Sequence, residues 1–123
     1  MSKRIKKSLT KFEGQYLYYF EQFQKNVAII GKTVEDCVKL KKLIGDESIH
    51  IISDADSEYK GGISIVPSYL SKGLEFDAVI VTNADIYNYT TSEADTKLLY
   101  VCCTRAMSQL DIYHIEELTK LLR

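Results

Sequence analysis

Ile63-Ser64-Ile65-Val66-Pro67-Ser68-Tyr69-Leu70-Ser71-Lys72-Gly73-Leu74-Glu75-Phe76-Asp77-Ala78-Val79-Ile80-Val81 is the stretch on which the architecture turns. Ile63 to Val66 and Ala78 to Val81 are short, largely β-branched runs bounded by turn residues, the pattern of strands buried in a parallel sheet. Pro67 has no N–H to give a sheet ladder and closes the first run. A tight ten-residue link, Ser68 to Asp77, joins the two and carries Lys72 and Glu75 around Gly73. Ligands of parallel α/β sheets bind outside the carboxyl ends of strands, and the link is expected there.

Working outward, the same grammar repeats. Val27 to Ile30 reads as another buried strand, released at Gly31. Thr33 can cap a helix, with Glu35 and Asp36 placing negative charge in its first turn. Val34, Cys37, Val38, Leu40 and Ile44 then recur at helical spacing, with Lys39, Lys41 and Lys42 on the outer side. Gly45 stands where a left-handed residue ends a helix. A short strand is expected from Ile49 to Ile52, followed by a polar loop from Ser53 to Gly62. After the loop Asn83 to Thr91, Ser92 and Asp95 form a capping pair for a second helix, whose buried side is Leu98, Leu99, Val101, Cys102 and Ala106. Leu110 and Ile112 mark a last strand, and Ile115, Leu118 and Leu122 a short closing helix. Upstream, Tyr16, Tyr19, Phe20 and Phe23 give an amphipathic helix over Gln15 to Gln24, read as core packing in preference to base stacking. Strands alternating with helices predict an α/β domain with a parallel sheet, a class that by itself decides no function.

Composition narrows the classes. The chain has 123 residues, 46% hydrophobic and 27% charged, which is a single domain's worth of ordinary globular sequence. Apolar runs such as Val27 to Ile30 and Ala78 to Val81 span four residues, far short of the roughly 20 a membrane helix needs. The start, Met1-Ser2-Lys3-Arg4-Ile5-Lys6-Lys7, is basic but lacks the apolar stretch of a secretory signal. Cys37, Cys102 and Cys103 are an odd set without metal spacing, so they read as buried thiols in a reducing cytoplasm. Net charge is −1, yet residues 1–11 hold five bases and no acid, leaving 11 bases against 17 acids elsewhere. An acidic body does not grip nucleic acid by bulk charge. The basic start reads as a solvated linker or a cut end.

Several chemical-looking patterns fail on inspection. Gly31-Lys32-Thr33 resembles the end of a phosphate-binding loop, but Asn26 stands where its first glycine belongs and a strand occupies the loop. Asp54, Asp56 and Glu58 alternate like the start of a calcium loop, but Tyr59 and Ile65 hold the obligatory glycine and glutamate positions. His50 and His114 have no partner at ligand spacing, so no metal site is expected. Ser68 and Ser71 lack the glycines of a nucleophile elbow.

One further segment stands out, Leu98-Leu99-Tyr100-Val101-Cys102-Cys103-Thr104-Arg105-Ala106. Arg105 ends a helix just before the last strand. It can cap helix carbonyls there, and its forked, permanently charged guanidinium equally suits a phosphate arriving from another domain.

Ser71 to Val79 resembles motif V of UvrD/Rep-type superfamily-1 helicases, and Leu99 to Ala106 resembles their motif VI, in the same order and at the same separation. The resemblance spans Val27 to His114. It implies the second, C-terminal domain of a pair: a three-layer RecA-like parallel sheet flanked by helices, of P-loop NTPase type but without its own P-loop. On this reading residues 26–123 are that domain, and residues 1–25 are a basic start plus the aromatic helix. In such helicases two RecA-like domains clamp ATP with Mg2+ between them. Arg105 matches the arginine that reaches the γ-phosphate, and Glu75 matches the glutamate that binds the ribose hydroxyls. Lys72 and Gly73 match positions coupling the nucleotide cleft to the nucleic-acid groove. Tyr69 stands where many relatives carry a histidine facing single-stranded DNA, beside Ser68, and Pro67 replaces a usual threonine. Pro67-Ser68-Tyr69-Leu70 and Gly31-Lys32-Thr33 are most similar to the helicase-D branch, whose members associate with bacterial RNA polymerase.

The resemblance therefore implies an ATP-dependent helicase or translocase in which this piece supplies one half of the ATP site and part of the nucleic-acid groove. Its partners would be the first RecA-like domain and single-stranded nucleic acid. Alone, the piece is expected to be inactive. The alternative is a protein-docking module of an RNA-polymerase-associated factor.

Overall fold

Val27, Ala28, Ile29 and Ile30 expose no surface at all, because their strand lies inside a sheet covered on both faces. A computed structural model of the chain describes residues 2–7, 26–53 and 62–123. In chain order they form β1 (Ser2–Lys7), β2 (Asn26–Gly31), α1 (Val34–Ile44), β3 (His50–Ile51), β4 (Gly62–Pro67), β5 (Phe76–Val81), α2 (Glu93–Cys103) and β6 (Ala106–His114). Short 3-10 turns occupy Ser68–Leu70 and Lys120–Leu122. The strands make one six-stranded sheet in the order β1-β6-β5-β2-β4-β3, parallel throughout.

The period-two geometry of a strand divides the core between the faces. Val27 and Ile29 join Ile65, Ala78 and Ile80 beneath Cys37 and Leu40 of α1. Ala28 and Ile30 join Val66, Val79 and Val81 beneath Leu99 and Cys102 of α2. Helix, sheet, helix: the three-layer α/β fold expected from the sequence is the fold observed.

Most elements sit where the sequence places them. Thr33 caps α1 through a full capping box with Asp36, and Gly45 closes it in the left-handed conformation at φ 72. At α2 the box is half made. Ser92 Oγ accepts from the Asp95 N–H at 3.1 Å, but the Asp95 carboxylate turns away to Thr90 and Lys32. The closing helix is only a turn, since Leu118 bridges Asp85 and Ile115 stays exposed.

The basic start departs from expectation. Ser2–Lys7 is a sixth strand, its register running from Ser2 opposite Gln109 to Lys7 opposite His114 on β6. An edge strand needs main-chain pairing on one side only, so it tolerates a run of lysines that carries no apolar alternation, and lysines discourage further pairing. The predicted helix Gln15 to Gln24 and the acidic triplet Asp54, Asp56, Glu58 lie outside the described residues. Among the described residues no helix is long and apolar enough to cross a membrane.

Candidate functional site

β4 and β5 flank β2 and run parallel, so the link between them must traverse the sheet from its carboxyl edge to its amino edge. Only the first part of the link lies at the carboxyl edge where the whole was expected. There Ser68, 1% exposed, donates its hydroxyl to Lys32 O at 2.6 Å and so ties the link to the end of β2. Ser71 Oγ donates to Ser68 O at 2.8 Å and lies 3.7 Å from Cys102 Sγ, fastening the link to α2. Tyr69, between them, is half exposed. Of the two residues proposed to meet nucleic acid, Tyr69 offers a surface, whereas the Ser68 hydroxyl is spent inside the protein.

The chain then turns at Gly73, whose φ of 86° excludes most side chains, and reaches the amino edge. Lys72 and Glu75 point to solvent, while Phe76 is buried. The register with β6 slips between Phe76 and Ala78, which pair with Ala106 and Gln109. Such irregularities re-aim neighbouring side chains. Here the Phe76 N–H donates to Arg105 O at 2.9 Å, so the end of the β4–β5 link and the segment after α2 are hydrogen-bonded to each other. Asp77 Oδ2 accepts from the Asn26 N–H at 3.1 Å on the same edge.

Arg105 follows Thr104, the C-cap of α2. Its Nε donates to Val101 O at 3.0 Å, its Nη2 to Thr104 Oγ1 at 3.2 Å, and its Nη1 makes a long contact to Leu74 O at 3.5 Å. The helix-capping role read from the sequence is thus real, and it leaves guanidinium donors over. Glu75, between Leu74 and Phe76, and Arg105 therefore lie at the same edge of the sheet, whereas Lys72 and Gly73 lie on the way to it. Two grooves among the described residues lie elsewhere: one of about 220 Å3 beside α2, lined by Leu99, Tyr100, Cys103 and Leu122, and one of about 260 Å3 near Tyr89 and Lys120. Nothing in the sequence pattern pointed to the Leu74 carbonyl. Thr104, the polar neighbour of Arg105, is the one sequence feature that signals this arrangement.

At the carboxyl edge Lys32 is already engaged within the protein. Gly31 is the last residue of β2, so no phosphate loop precedes Lys32. Lys32 Nζ pairs with Asp95 Oδ1 at 3.0 Å, donates to Asn88 O, and lies 5.4 Å from the Tyr89 ring centre. Burial opposes the Asp95 charge, but hydrogen bonds from Thr90 and the Lys32 ammonium outweigh it and hold the carboxyl below its ordinary value. Burial pushes the thiols of Cys37, Cys102 and Cys103 up to about 11, so they stay protonated at neutral pH, as inert packing groups do. No group of three or more metal-ligating side chains occurs among the described residues.

Comparison with known proteins adds three findings. Residues 62–113, from β4 through β6, match the family model described as UvrD-like helicase C-terminal domain. The chain is 32% identical to a solved structure titled as the C-terminal domain of a possible DNA helicase from Lactobacillus plantarum WCFS1, with a TM-score of 0.76 over 98% of this chain and 77% of that one. No curated protein matches significantly.

Proposed function

Because the chain belongs to the UvrD-like helicase C-terminal domains, we propose that it works as one jaw of an ATP-driven DNA motor. It would supply the motif V and motif VI half of a nucleotide site shared with a first RecA-like domain. The observation that carries this reading is the common edge: a carboxylate at Glu75 and a guanidinium at Arg105, joined through the Phe76–Arg105 backbone bond. Had the two lain at opposite ends of the sheet, no single nucleotide could have met both.

The residues present fit half of an ATP–Mg2+ site. Lys72 and Glu75 are exposed, and guanidinium donors remain on Arg105. Among the described residues no phosphate loop precedes Lys32 and no cluster of acids stands ready for the metal, and the first domain would provide both. Bound ATP supplies the phosphoryl transfer whose free energy moves the two domains. In this chain Glu75 would accept hydrogen bonds from ribose hydroxyls, and Arg105 would place positive charge where the transferring phosphoryl group gains negative charge. Lys72 and Gly73 would pass closure at this edge along the link to Tyr69, whose ring can stack a base.

The test uses the domain joined to a P-loop domain, in its natural reading frame or reconstituted from two polypeptides. Arg105→Ala is expected to lower DNA-stimulated ATP turnover on the order of 10³-fold. Tyr69→Ala is expected to weaken single-stranded DNA binding about 5- to 100-fold without that loss of turnover. Wild-type turnover in the arginine variant removes the finger assignment.

The helicase-D likeness is a finer proposal. The residues that carry it have internal tasks: Thr33 caps α1, Lys32 holds Asp95, and Ser68 bonds Lys32 O. A docking role on RNA polymerase rests on the sequence likeness alone. Failure of the purified domain to co-purify with polymerase would remove it.

A further inference from the structure

A guanidinium has five N–H donors in one plane. Among the described residues three are engaged on Arg105: Nε–H with Val101 O at 3.0 Å, Nη2 with Thr104 Oγ1 at 3.2 Å, and Nη1 with Leu74 O at 3.5 Å. One N–H is left on each terminal nitrogen, the pair with which arginine grips an oxyanion in two parallel bonds. The group is therefore held by its flank, with its end free.

Thr104 is suited to do the holding. Its hydroxyl lies 2.9 Å from Tyr100 O and 3.0 Å from Val101 O, to which its single proton is given. That fixes the hydroxyl rotor and leaves lone pairs facing Arg105. Val101 O serves both side chains, so threonine, helix end and guanidinium form one cluster. Thr104 itself is exposed, so its side chain contributes little to the core.

We propose that Thr104 is the positioning residue of Arg105: it orients the guanidinium so that the two free terminal donors face the open amino edge. The Leu74 carbonyl, on the link that carries Glu75, makes that orientation follow the link. This inference rests on the reading of Arg105 as the group that meets the nucleotide's phosphates, and the experiment separates the two.

The Nε–H signal of Arg105 in the purified 123-residue domain, identified by its loss in Arg105→Lys, reports the clamp by nuclear magnetic resonance. In Thr104→Val, solvent exchange of that proton and rotation of the terminal nitrogens are expected to speed up about three- to tenfold, the scale of one hydrogen bond. Thr104→Ser should behave as wild type. The thermal midpoints of the Thr104 variants should agree with wild type within about 2 °C, which a merely structural role would not allow. Thr104→Ala repeats the test without the β-branch. Titration with inorganic triphosphate, read on the same signal, should need about three- to tenfold more anion in the valine variant. Unchanged exchange in both Thr104→Val and Thr104→Ala overturns the proposal. Faster exchange in those variants, with no response of wild type to triphosphate, upholds the clamp and counts against the phosphate-facing reading of Arg105.

Discussion

Two cations of this domain were ambiguous in the sequence, and their surroundings separate them. Lys32 sits where a phosphate loop would end, but its ammonium is enclosed, with side-chain exposures of 24% for Lys32 and 14% for its partner Asp95. Arg105 sits in an equally dual position and keeps free donors at an open edge. The lysine is thus a structural clamp between the end of β2 and the start of α2. Lys32→Met should cost about 1–2 kcal/mol, more than an exposed pair because the bond to Asn88 O and the Tyr89 contact go with it. The sign of the pH dependence follows from Asp95, whose folded carboxyl is held below its ordinary value. A depressed carboxyl stabilises above the unfolded value near ~3.9 and ceases to do so as pH falls through the folded one. Urea melts should therefore show the wild-type advantage over Lys32→Met at pH 7 and its shrinkage near pH 3. An equal advantage at both values would assign the effect to packing rather than to the pair.

Elements were legible where local chemistry and burial agree. Thr33, Asp36 and Gly45 bracket α1 in the sequence as they do in space, and the apolar runs at Val27 and Ala78 are the innermost strands. β1 was invisible because an edge strand is held by backbone pairing, which leaves no side-chain period to read. The course of the motif V link was misplaced for a different reason. Its ends are local, but its span follows from β4 and β5 both running parallel to β2, a non-local fact. The seam between β2 and α1 offers a prediction of its own. A Cβ at Gly31 would lie 3.0 Å from Cys37 Sγ, 3.2 Å from Cys37 N and 3.2 Å from Leu40 Cδ1. Gly31→Ala should cost about 1–3 kcal/mol by overpacking, roughly 4–12 °C for a domain of this size. Adding Cys37→Ala should return part of the loss in the same thermal scan. No return would locate the strain in the helix backbone instead.

At the scale of the whole molecule, the described residues present a polar edge at Glu75 and Arg105. Glu75 is exposed and Arg105 partly so at one end of the packed sheet, as the proposed nucleotide site shared with a first domain requires. A nucleotide touching only these side chains loses translational freedom for a few solvent-competing hydrogen bonds, so affinity should be weak. Ligand stabilisation grows as RT ln(1 + [L]/Kd), and unfolding a chain of 123 residues changes by roughly 0.26 kcal/mol per degree near the midpoint. At about 1 mM ATP–Mg2+ a Kd near ~10 mM would raise the midpoint by well under ~1 °C, whereas a Kd near ~0.1 mM would raise it by about 5 °C. The isolated domain should show the first behaviour, and addition of a P-loop partner should produce a larger rise that Arg105→Ala diminishes. A shift of about 5 °C for the domain alone would mean that this edge holds a nucleotide unaided. The two-jaw reading would then give way to a self-sufficient site.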